Sequence, residues 1–334
     1  MRVGCIQYAS EQGLGILAKS FYDAGVITDM MVFRHGSRKS HMEWYPSGTM
    51  ELVDRPFNGS IVEGIIKDVD VMLFFETPHD WSVLDLCRRL KTPTVLVPMY
   101  ECTPIRTKYC ADKVIVPSLL DLQYYPGSTF IPIPVPDDTF ELRTKANMFL
   151  HNAGNIGLRK NKGTMELMQA MPYVKSDLRL HIRAQDVGGL KSIISQVPRI
   201  TQDPRVSFQF GSIPYHQLYT GYDVLVAPEK VSGLCLPIQE ARAAGMVVMA
   251  SDRHPHNTWL PKESLIHVSA YQQASMGGPY HTFDEAVLDP RDIASCMDAL
   301  YGTDITSYSQ SSVDWAASMS WSTLKPVWME ALSL

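Results

Sequence analysis

The residues with the clearest chemical pattern lie in PEKVSGLCLPIQEARAAG, residues 228–245, where a glycine-containing loop separates two carboxylates. Backbone N–H groups of such a loop can point at an anion where a helix begins. In this loop they belong to Gly233, Leu234, Cys235 and Leu236. Glu240 follows them and could accept hydrogen bonds from the vicinal hydroxyls of a ribose, as an acidic residue does in dinucleotide-binding folds. In the alternative, Glu240 lies in the first helical turn and only complements the helix dipole, which is worth about 0.3–1 kcal/mol.

Two further loops place glycines or cations before a predicted helix. EQGLGI positions Gly13 and Gly15 where backbone N–H groups could approach a phosphate, or where the chain only makes a tight turn. In HNAGNIGLRKNKG, the side chains of Arg159, Lys160 and Lys162 could neutralise a diphosphate leaving group. The alternative for this second segment is a basic loop in contact with water.

Candidate acid–base groups follow two predicted strands of the first half. Glu76, His79 and Asp80 come directly after the apolar run VMLFF, and Glu101 comes after TVLVPM. Because ligands bind at the carboxyl ends of parallel strands, these side chains are placed to act as acids, bases or hydroxyl ligands. A histidine in such a position is about as often a packing or capping residue. We treat the four residues as candidate catalytic groups.

Metal-binding patterns are weak in this sequence. The acidic pair of DVD, residues 68–70, stands before a strand and not after one, so we interpret it as a loop end. His254 and His256 flank a proline without a third ligand at metal spacing, which argues against zinc. We therefore expect a site without a metal, and no cofactor apart from the substrate itself.

Composition limits the class of protein. The chain has 334 residues, of which 45% are hydrophobic and 19% charged, as expected for two globular domains. We expect no signal peptide and no membrane span, because no apolar run approaches the ~20 residues that cross a bilayer. Six scattered cysteines suit a reducing cytoplasm. A net charge of −5 argues against a bulk basic surface for nucleic acid, although it allows a local basic groove.

Short apolar runs alternate with helical patterns in both halves of the chain, which predicts parallel sheets covered by helices on both faces. The strands are predicted at residues 3–9, 30–35, 71–75, 94–99, 113–118, 147–154, 179–185, 206–211, 223–228 and 246–251. Helices are predicted at residues 16–25, 80–91, 162–171 and 237–244, with two more amphipathic helices in the tail 312–332. The four prolines of FIPIPVPDDTF, residues 130–140, favour a linker between the two halves. These patterns predict an α/β protein with two Rossmann-like domains that face a cleft.

The second half resembles the nucleotide-sugar domain of GT-B glycosyltransferases, particularly the retaining group often called family 4. GLCLPIQEARAAG matches that group's G-L-x-L-P-x-x-E-A-x-A-x-G pattern, AGNIGLRKNKG is similar to its G-R-x(n)-K-G segment, and SMSWSTLKPVWMEAL resembles its closing F-S-W helix. The resemblance covers nearly all of residues 148–334. It implies an acceptor domain at 1–133, a linker at 134–147, a donor domain at 148–315, and a helix at 316–334 that crosses back to the first domain.

The resemblance also implies roles for single residues. Glu240 would bind the ribose of the donor, the amides of 233–236 its sugar and phosphate, and Lys162, with Arg159, the diphosphate. The loop of Gly13 and Gly15 would contact the phosphate from the first domain, and Arg183 in RLHIRAQ is a further donor-binding candidate. The chain departs from the family at Ser232, where the family has a glutamate that touches the donor sugar, and Glu229 could partly replace it. The implied reaction moves a sugar from a nucleotide diphosphate sugar, UDP-linked in our interpretation, to a hydroxyl.

A narrower resemblance concerns the acceptor. FFETPHDW, TVLVPMYEC and FLHNAG are similar to glycosyltransferases carried by tailed phages, some of which act on hydroxymethylated pyrimidines in DNA. Such a protein would work in the cytoplasm of the bacterial host, with DNA as a partner. The basic residues that could line a DNA groove are Arg34, Arg38, Lys39, Arg106 and Lys108. The alternatives are a cell-surface glycan or lipid carrier as acceptor, and a sugar-nucleotide-binding protein without catalysis.

Overall fold

The structure of the protein is a computed structural model that describes residues 1–33, 40–45, 50–52, 59–104, 111–135, 140–154, 160–275 and 282–334. The chain divides into two compact units. The first contains Met1–Ile133 and Trp321–Leu334, and the second contains Pro134–Ala274 and Thr282–Ser320.

The first unit is built on a parallel sheet. Its seven strands are β1 (Val3–Gln7), β2 (Asp29–Phe33), β3 (Met50–Leu52), β4 (Val71–Phe75), β5 (Thr94–Val97), β6 (Lys113–Val116) and β7 (Thr129–Phe130). They lie in the order β3-β2-β1-β4-β5-β6-β7, and all their pairings are parallel. Strands β1, β4 and β5 are buried along their whole length, which explains their continuous apolar sequences. The helices of this segment are α1 (Gly13–Asp23), α2 (Gly59–Asp68), α3 (Ser82–Leu90) and α4 (Asp121–Tyr124).

The second unit repeats this architecture with a parallel sheet of six strands. They are β8 (Met148–Gly154), β9 (Arg179–Ala184), β10 (Val206–Phe210), β11 (Val224–Ala227), β12 (Val247–Ser251) and β13 (Leu265–Ile266), in the order β10-β9-β8-β11-β12-β13. Its helices are α5 (Thr164–Ala170), α6 (Val187–Gln196), α7 (Leu236–Ala243), α8 (Pro290–Leu300) and α9 (Thr306–Ser318). The apolar faces of α5 and α8 bury Leu167, Met168 and Ile293 against the sheet. The ten predicted strands and the parallel sheets are confirmed.

Some elements were not predicted from the sequence. Helices α2 and α6 each contain two glycines, which weaken the helical pattern. The two-stranded sheet of β14 (Ala270–Ser275) and β15 (Thr282–Val287) is mostly exposed and carries polar pairs across its strands, such as Gln272 with Glu285 at 2.9 Å. Such strands lack the apolar alternation that marks a half-buried strand.

The last helix, α10 (Trp321–Leu332), packs within the first unit. Phe21 of α1 makes edge-to-face contacts with Trp321 and Trp328, at ring-centre distances of 4.7 and 4.8 Å. The indole N–H of Trp321 donates to Ser20 Oγ at 2.8 Å, and that of the buried Trp328 donates to Pro132 O at 3.1 Å. The tail therefore forms the two predicted helices, and the second of them completes the core of the first unit.

The turn between α7 and β12 requires glycine, and this requirement can be tested. Gly245 has a φ of +85°, and a Cβ there would overlap Glu141 O. We expect Gly245→Ala to lower the free energy of unfolding by at least ~3 kcal/mol, since backbone strain and steric overlap add. Urea denaturation followed by fluorescence measures the change.

Gly211 provides the matched control for Gly245→Ala. Its φ is +91°, but a Cβ there would meet open space. Gly211→Ala should therefore cost only the backbone strain, about 1–2 kcal/mol. Equal losses in the two variants would contradict the steric argument.

Candidate functional site

The loop after β11 leads directly into α7. The apolar run ends at Ala227, the chain continues through Pro228 and Glu229, and α7 begins at Leu236 with Pro237 in its first turn. Cys235, which precedes the helix, has a φ of +46°, in the left-handed region that non-glycine residues seldom adopt. Its conformation turns the chain sharply into the helix, with Ile238 N donating to Cys235 O at 2.9 Å. The helix predicted at 237–244 is confirmed within a residue.

Glu240 lies one residue further into the helix than the sequence suggested. Since α7 begins at Leu236, Glu240 is its fifth residue, and the first turn contains no acidic side chain. The dipole effect fades beyond the first turn, so a dipole role does not account for this residue. The prediction that placed Glu240 in the first turn is wrong, because the helix starts one residue before Pro237.

The Glu240 carboxylate is buried beneath two tyrosines. Its Oε2 accepts from the hydroxyl of the buried Tyr219 at 2.6 Å, and Tyr215 is a second hydroxyl donor. Burial raises the pKa of the Glu240 carboxyl above its usual value, and the two tyrosine hydrogen bonds oppose the shift. A carboxylate has about four lone-pair sites, so these bonds leave capacity for a vicinal diol.

Lys162, which is partly exposed, forms an ion pair with the buried Glu229 in the loop before this helix. Lys162 Nζ lies 2.7 Å from Glu229 Oε1, and only 4% of the Glu229 side chain is exposed. The thiol of Cys235 donates to the same carboxylate oxygen at 3.2 Å. Within the described residues, Glu229 Oε2 has no hydrogen-bond partner. The sequence placed Lys162 on a diphosphate and Glu229 near a sugar, but it did not predict that they contact each other.

Backbone contacts attach the segment before α5 to the loop after β11. Lys230 N donates to Asn161 O at 2.6 Å, and the Asn161 side-chain amide donates to Val231 O at 3.0 Å. Gly163 has a φ of +63°, and a Cβ at this position would overlap Pro228 O. A glycine is therefore needed for the two segments to approach, and the approach brings Lys162 to Glu229.

Arg253 contacts the loop and lies close to His256, and neither residue was predicted from the sequence to lie here. The buried Arg253 donates through Nη1 to Ser232 O at 2.9 Å. His256 is 1% exposed; burial, and then the charge of Arg253, lower its pKa to about 3, so the imidazole is neutral. Arg253 thus fixes the main chain at the position where the resembled family has its first glutamate. The sequence feature that could have indicated these two residues is the basic segment DRHPH, which follows β12.

Arg183 has structural partners within its own sheet. Its Nε donates to Gln209 Oε1 at 2.8 Å, and its guanidinium lies 4.9 Å from the ring centre of Tyr222. It also donates to Leu218 O. These contacts hold the Arg183 guanidinium in place, and the donor contact proposed from the sequence stays a prediction.

Several predicted residues lie outside the described part of the chain. They are Arg159, for the diphosphate, and Arg34, Arg38, Lys39, Arg106 and Lys108, for an acceptor groove. The side chain of Lys160 also falls outside it.

In the first unit, the glycine loop after β1 is the first turn of a helix. Helix α1 begins at Gly13 and not at residue 16 as predicted, so Gly13 and Gly15 lie in its first turn. A Cβ on Gly15 would overlap the backbone of Ser10, and this close approach explains the second glycine without a ligand. The N–H groups of this turn still lack partners within the helix, as at every helix start.

The segment after β4 carries two unusual backbone conformations. Glu76 and His79 have φ values of +60° and +62°. His79 Nε2 lies 2.8 Å from the side-chain oxygen of Gln7, at the end of the adjacent strand β1. Asp80 Oδ1 accepts from the backbone N of Ser82 at 3.0 Å and from its Oγ at 2.7 Å, so it closes the start of α3. Asp80 thus has partners at the first residue of α3, and the catalytic roles of Asp80, His79 and Glu76 stay predictions.

Glu101 lies in a buried acidic environment. It is 6% exposed, and Asp121 of α4 is fully buried nearby, where Asp121 Oδ1 accepts from Tyr100 N at 2.9 Å. Burial, and then the charge of Glu101, raise the pKa of Asp121 well above its usual value. Asp121 was not singled out from the sequence, because a single aspartate before a short helix carries no distinctive pattern.

A comparison of the sequence with protein-family models finds no match, and a comparison with curated protein sequences also finds none. Solved structures do match the chain. HepE of Anabaena, in complex with UDP and glucose, is 14% identical, with a TM-score of 0.73 and 100% of both chains covered. A glycosyltransferase from Rickettsia africae is 13% identical, with a TM-score of 0.71 and 99% of both chains covered. Sucrose-phosphate synthase from Thermosynechococcus elongatus is 15% identical, with a TM-score of 0.66 and coverage of 98% of this chain and 97% of that one.

These structures share one architecture of two parallel sheets with flanking helices. The chain has the GT-B fold. The predicted fold class is thereby confirmed.

Across the described ranges, no helix combines the length and hydropathy that crossing a bilayer requires. Among the same residues, no three His, Cys, Asp or Glu side chains are grouped so that they could hold a metal ion.

The buried carboxyl of Glu240 should make the stability of this GT-B protein depend on pH. A raised pKa means that the folded state holds the proton more tightly than the unfolded chain. Stability therefore falls as pH rises from the ordinary value of 4.5 through the pKa of the folded state. Glu240→Gln removes this titration. The free energy of unfolding of the variant, minus that of the wild type, should therefore be larger at pH 7.5 than at pH 4.

Urea denaturation of both proteins at the two pH values measures the effect. Glu263→Gln, at an exposed position of the same unit, is the control and should show no such difference. If the difference in free energy of unfolding between the wild type and Glu240→Gln is the same at both pH values, the assignment of a raised pKa is contradicted.

Proposed function

We propose that the protein is a glycosyltransferase that takes a sugar from a UDP-linked donor and transfers it to an acceptor hydroxyl. The observation that carries this proposal is the buried carboxylate of Glu240, which lies in the first two turns of α7. It accepts hydrogen bonds from the hydroxyls of Tyr219 and Tyr215. A protein gains little stability from burying a carboxylate in this way, so a ligand with paired hydroxyls is the better explanation. The GT-B fold and the HepE complex with UDP-glucose, which covers 100% of both chains with a TM-score of 0.73, support the donor class.

The loop residues supply the rest of the proposed donor site. The N–H groups at the start of α7, from Gly233 to Leu236, are suited to a phosphate or sugar oxygen. Lys162 is proposed to approach the diphosphate while it pairs with Glu229, since an ammonium has three N–H donors. Cationic and helix-end groups would then stabilise the departing diphosphate without a metal ion.

Retention of configuration is part of the proposal and is supported by the family-4 pattern of GLCLPIQEARAAG. In a retaining transfer, the acceptor would attack from the face of the leaving group, and the phosphate could take its proton. In an inverting transfer, the candidate base would be one of Glu76, His79, Asp80 and Glu101. The anomeric configuration of the first product, read by proton NMR, distinguishes the two outcomes.

The proposed acceptor is a hydroxymethylated pyrimidine in DNA. Its support is the similarity of FFETPHDW, TVLVPMYEC and FLHNAG to glycosyltransferases of tailed phages. The basic residues proposed for DNA, from RHGSRKSH and RTK, are confined to short segments, as expected for a local groove in an acidic chain.

The donor site can be tested with Glu240→Ala. Loss of the carboxylate removes the hydroxyl acceptor, at a cost of about 1–3 kcal/mol. The dissociation constant for UDP-glucose, measured by calorimetry, should therefore rise roughly 5- to 150-fold. Thermal unfolding of the variant shows whether it remains folded, because the two tyrosine hydroxyls lose their partner.

Glu263→Ala is the matched control, since it removes an exposed carboxylate of the same unit. Its affinity for UDP-glucose should equal that of the wild type. A folded Glu240→Ala protein with wild-type affinity would show that Glu240 does not contact the donor.

The acceptor can be tested with labelled donors. The protein is incubated with radiolabelled UDP-sugars and with DNA that contains hydroxymethylcytosine, hydroxymethyluracil or only unmodified bases. We expect label in one of the hydroxymethylated DNAs and none in unmodified DNA. Label in no DNA with any donor would remove the DNA acceptor, and donor binding without hydrolysis or transfer would favour a non-catalytic sugar-nucleotide-binding protein.

A further inference from the structure

Gln7 is a fully buried polar side chain at the carboxyl end of an apolar strand. Strand β1 has the sequence VGCIQ and is buried at every position. The side-chain oxygen of Gln7 lies 3.0 Å from the backbone N of Tyr8 and 2.8 Å from His79 Nε2. Within the described residues, the Gln7 amide nitrogen has no partner. Burying an amide with half its hydrogen bonds unmade is costly, so the oxygen must have a use that offsets the cost.

The two contacts fix which way the Gln7 amide points. The backbone N–H of Tyr8 can only donate, so the atom that faces it must be the Gln7 oxygen. If the amide were turned over, its NH₂ group would face the N–H of Tyr8, and two donors would meet. The network therefore selects one orientation.

The orientation of the Gln7 amide in turn fixes the state of His79. An amide oxygen has no proton to give, so His79 Nε2 must carry the hydrogen of their contact. In a neutral imidazole only one nitrogen carries a hydrogen, so the lone pair is then on Nδ1. The backbone N–H of Tyr8 thus determines, through Gln7, the tautomer of His79, which lies 72 positions after Gln7.

His79 is held in place by its surroundings. Its ring lies 4.4 Å from the ring centre of Phe33 and 5.6 Å from that of Tyr8. Its backbone has a φ of +62°, a strained conformation that persists only where the surrounding contacts enforce it. Strands β1 and β4 are parallel neighbours, so Gln7 and His79 meet at the edge of the sheet where ligands bind in such folds.

We propose that Gln7 is a positioning residue that holds His79 in the Nε2–H tautomer, so that His79 Nδ1 accepts a hydrogen bond from a substrate hydroxyl. The assignment of the tautomer stands on the geometry, and the substrate contact rests on the proposed glycosyl transfer. The hydroxyl belongs to the class of substrate already proposed, a sugar donor or its acceptor.

The tautomer can be read directly by NMR. Long-range ¹H–¹⁵N spectra of the whole protein, labelled at its histidine nitrogens, distinguish Nε2–H from Nδ1–H imidazoles, and the missing signal in His79→Gln assigns the ring. We expect Nε2–H in the wild type, a changed tautomer in Gln7→Met, and Nε2–H again in Gln7→Glu, which restores an acceptor oxygen. Nδ1–H in the wild type would overturn the proposal, and this result does not depend on the folding of any Gln7 variant.

The same variants separate positioning from a general structural role. In Gln7→Met, kcat/KM for sugar transfer or hydrolysis of UDP-glucose should fall about tenfold or more, because the substrate hydroxyl loses a correctly placed acceptor. The dissociation constant for UDP should stay unchanged. Cys5→Ala, two residues earlier on the same face of β1, is the control, and it should alter neither the His79 tautomer nor kcat/KM.

Three results would count against the proposal. An unchanged tautomer in a folded Gln7→Met protein would contradict the role of Gln7. A changed tautomer with unchanged kcat/KM would contradict the substrate contact of His79. Equal losses in Gln7→Met and Cys5→Ala would show a structural effect of the strand. If the wild type transfers and hydrolyses no UDP-sugar, the proposed function fails, while the NMR spectra still decide the Gln7–His79 assignment.

Discussion

A buried carboxylate needs a cation or several hydrogen-bond donors, and in the second unit this need determines how two distant segments are joined. Glu229 obtains its cation from Lys162, which is supplied by the segment before α5. That segment reaches Glu229 because Gly163 allows it to pass close to Pro228, and because Asn161 bonds the N–H of Lys230 and the carbonyl of Val231. The shape of the loop that leads into α7 therefore depends on one ion pair and on the glycine that makes room for it.

The same unit contains a second carboxylate that is treated differently. Glu240 receives neutral hydroxyl donors from Tyr219 and Tyr215, and its burial raises its pKa. Two tyrosines align the carboxylate without neutralising it, which preserves its strength as an acceptor. Glu229 is thus held in an ion pair, whereas Glu240 is held by a neutral hydroxyl, so two carboxylates within twelve residues of sequence are buried by different means.

The fold could be predicted well from the sequence because its signals are local. Strands β4, β5 and β11 are short apolar runs bounded by polar residues, and each was predicted within a few residues. Helix α2 was missed because two glycines weaken its pattern. The start of α7 was placed one residue late, and this small error moved Glu240 from the second turn into the first.

The site was harder to predict, because its contacts join residues far apart in the sequence. Tyr219 reaches Glu240 across 21 positions, and Lys162 reaches Glu229 across 67. No periodicity in the sequence encodes such pairs. Gln7 gave no signal at all, since a single polar residue at the end of an apolar strand is indistinguishable from the first residue of a loop.

The packing of α10 affects the order in which the protein can be made. The sheet of the first unit is encoded before residue 134, yet Phe21 meets Trp321 and Trp328 only after the second unit has been synthesised. Until then, Phe21 of α1 lacks both of these aromatic partners. In the order of the chain, the second unit is an insertion between the sheet of the first unit and the helix that packs against Phe21.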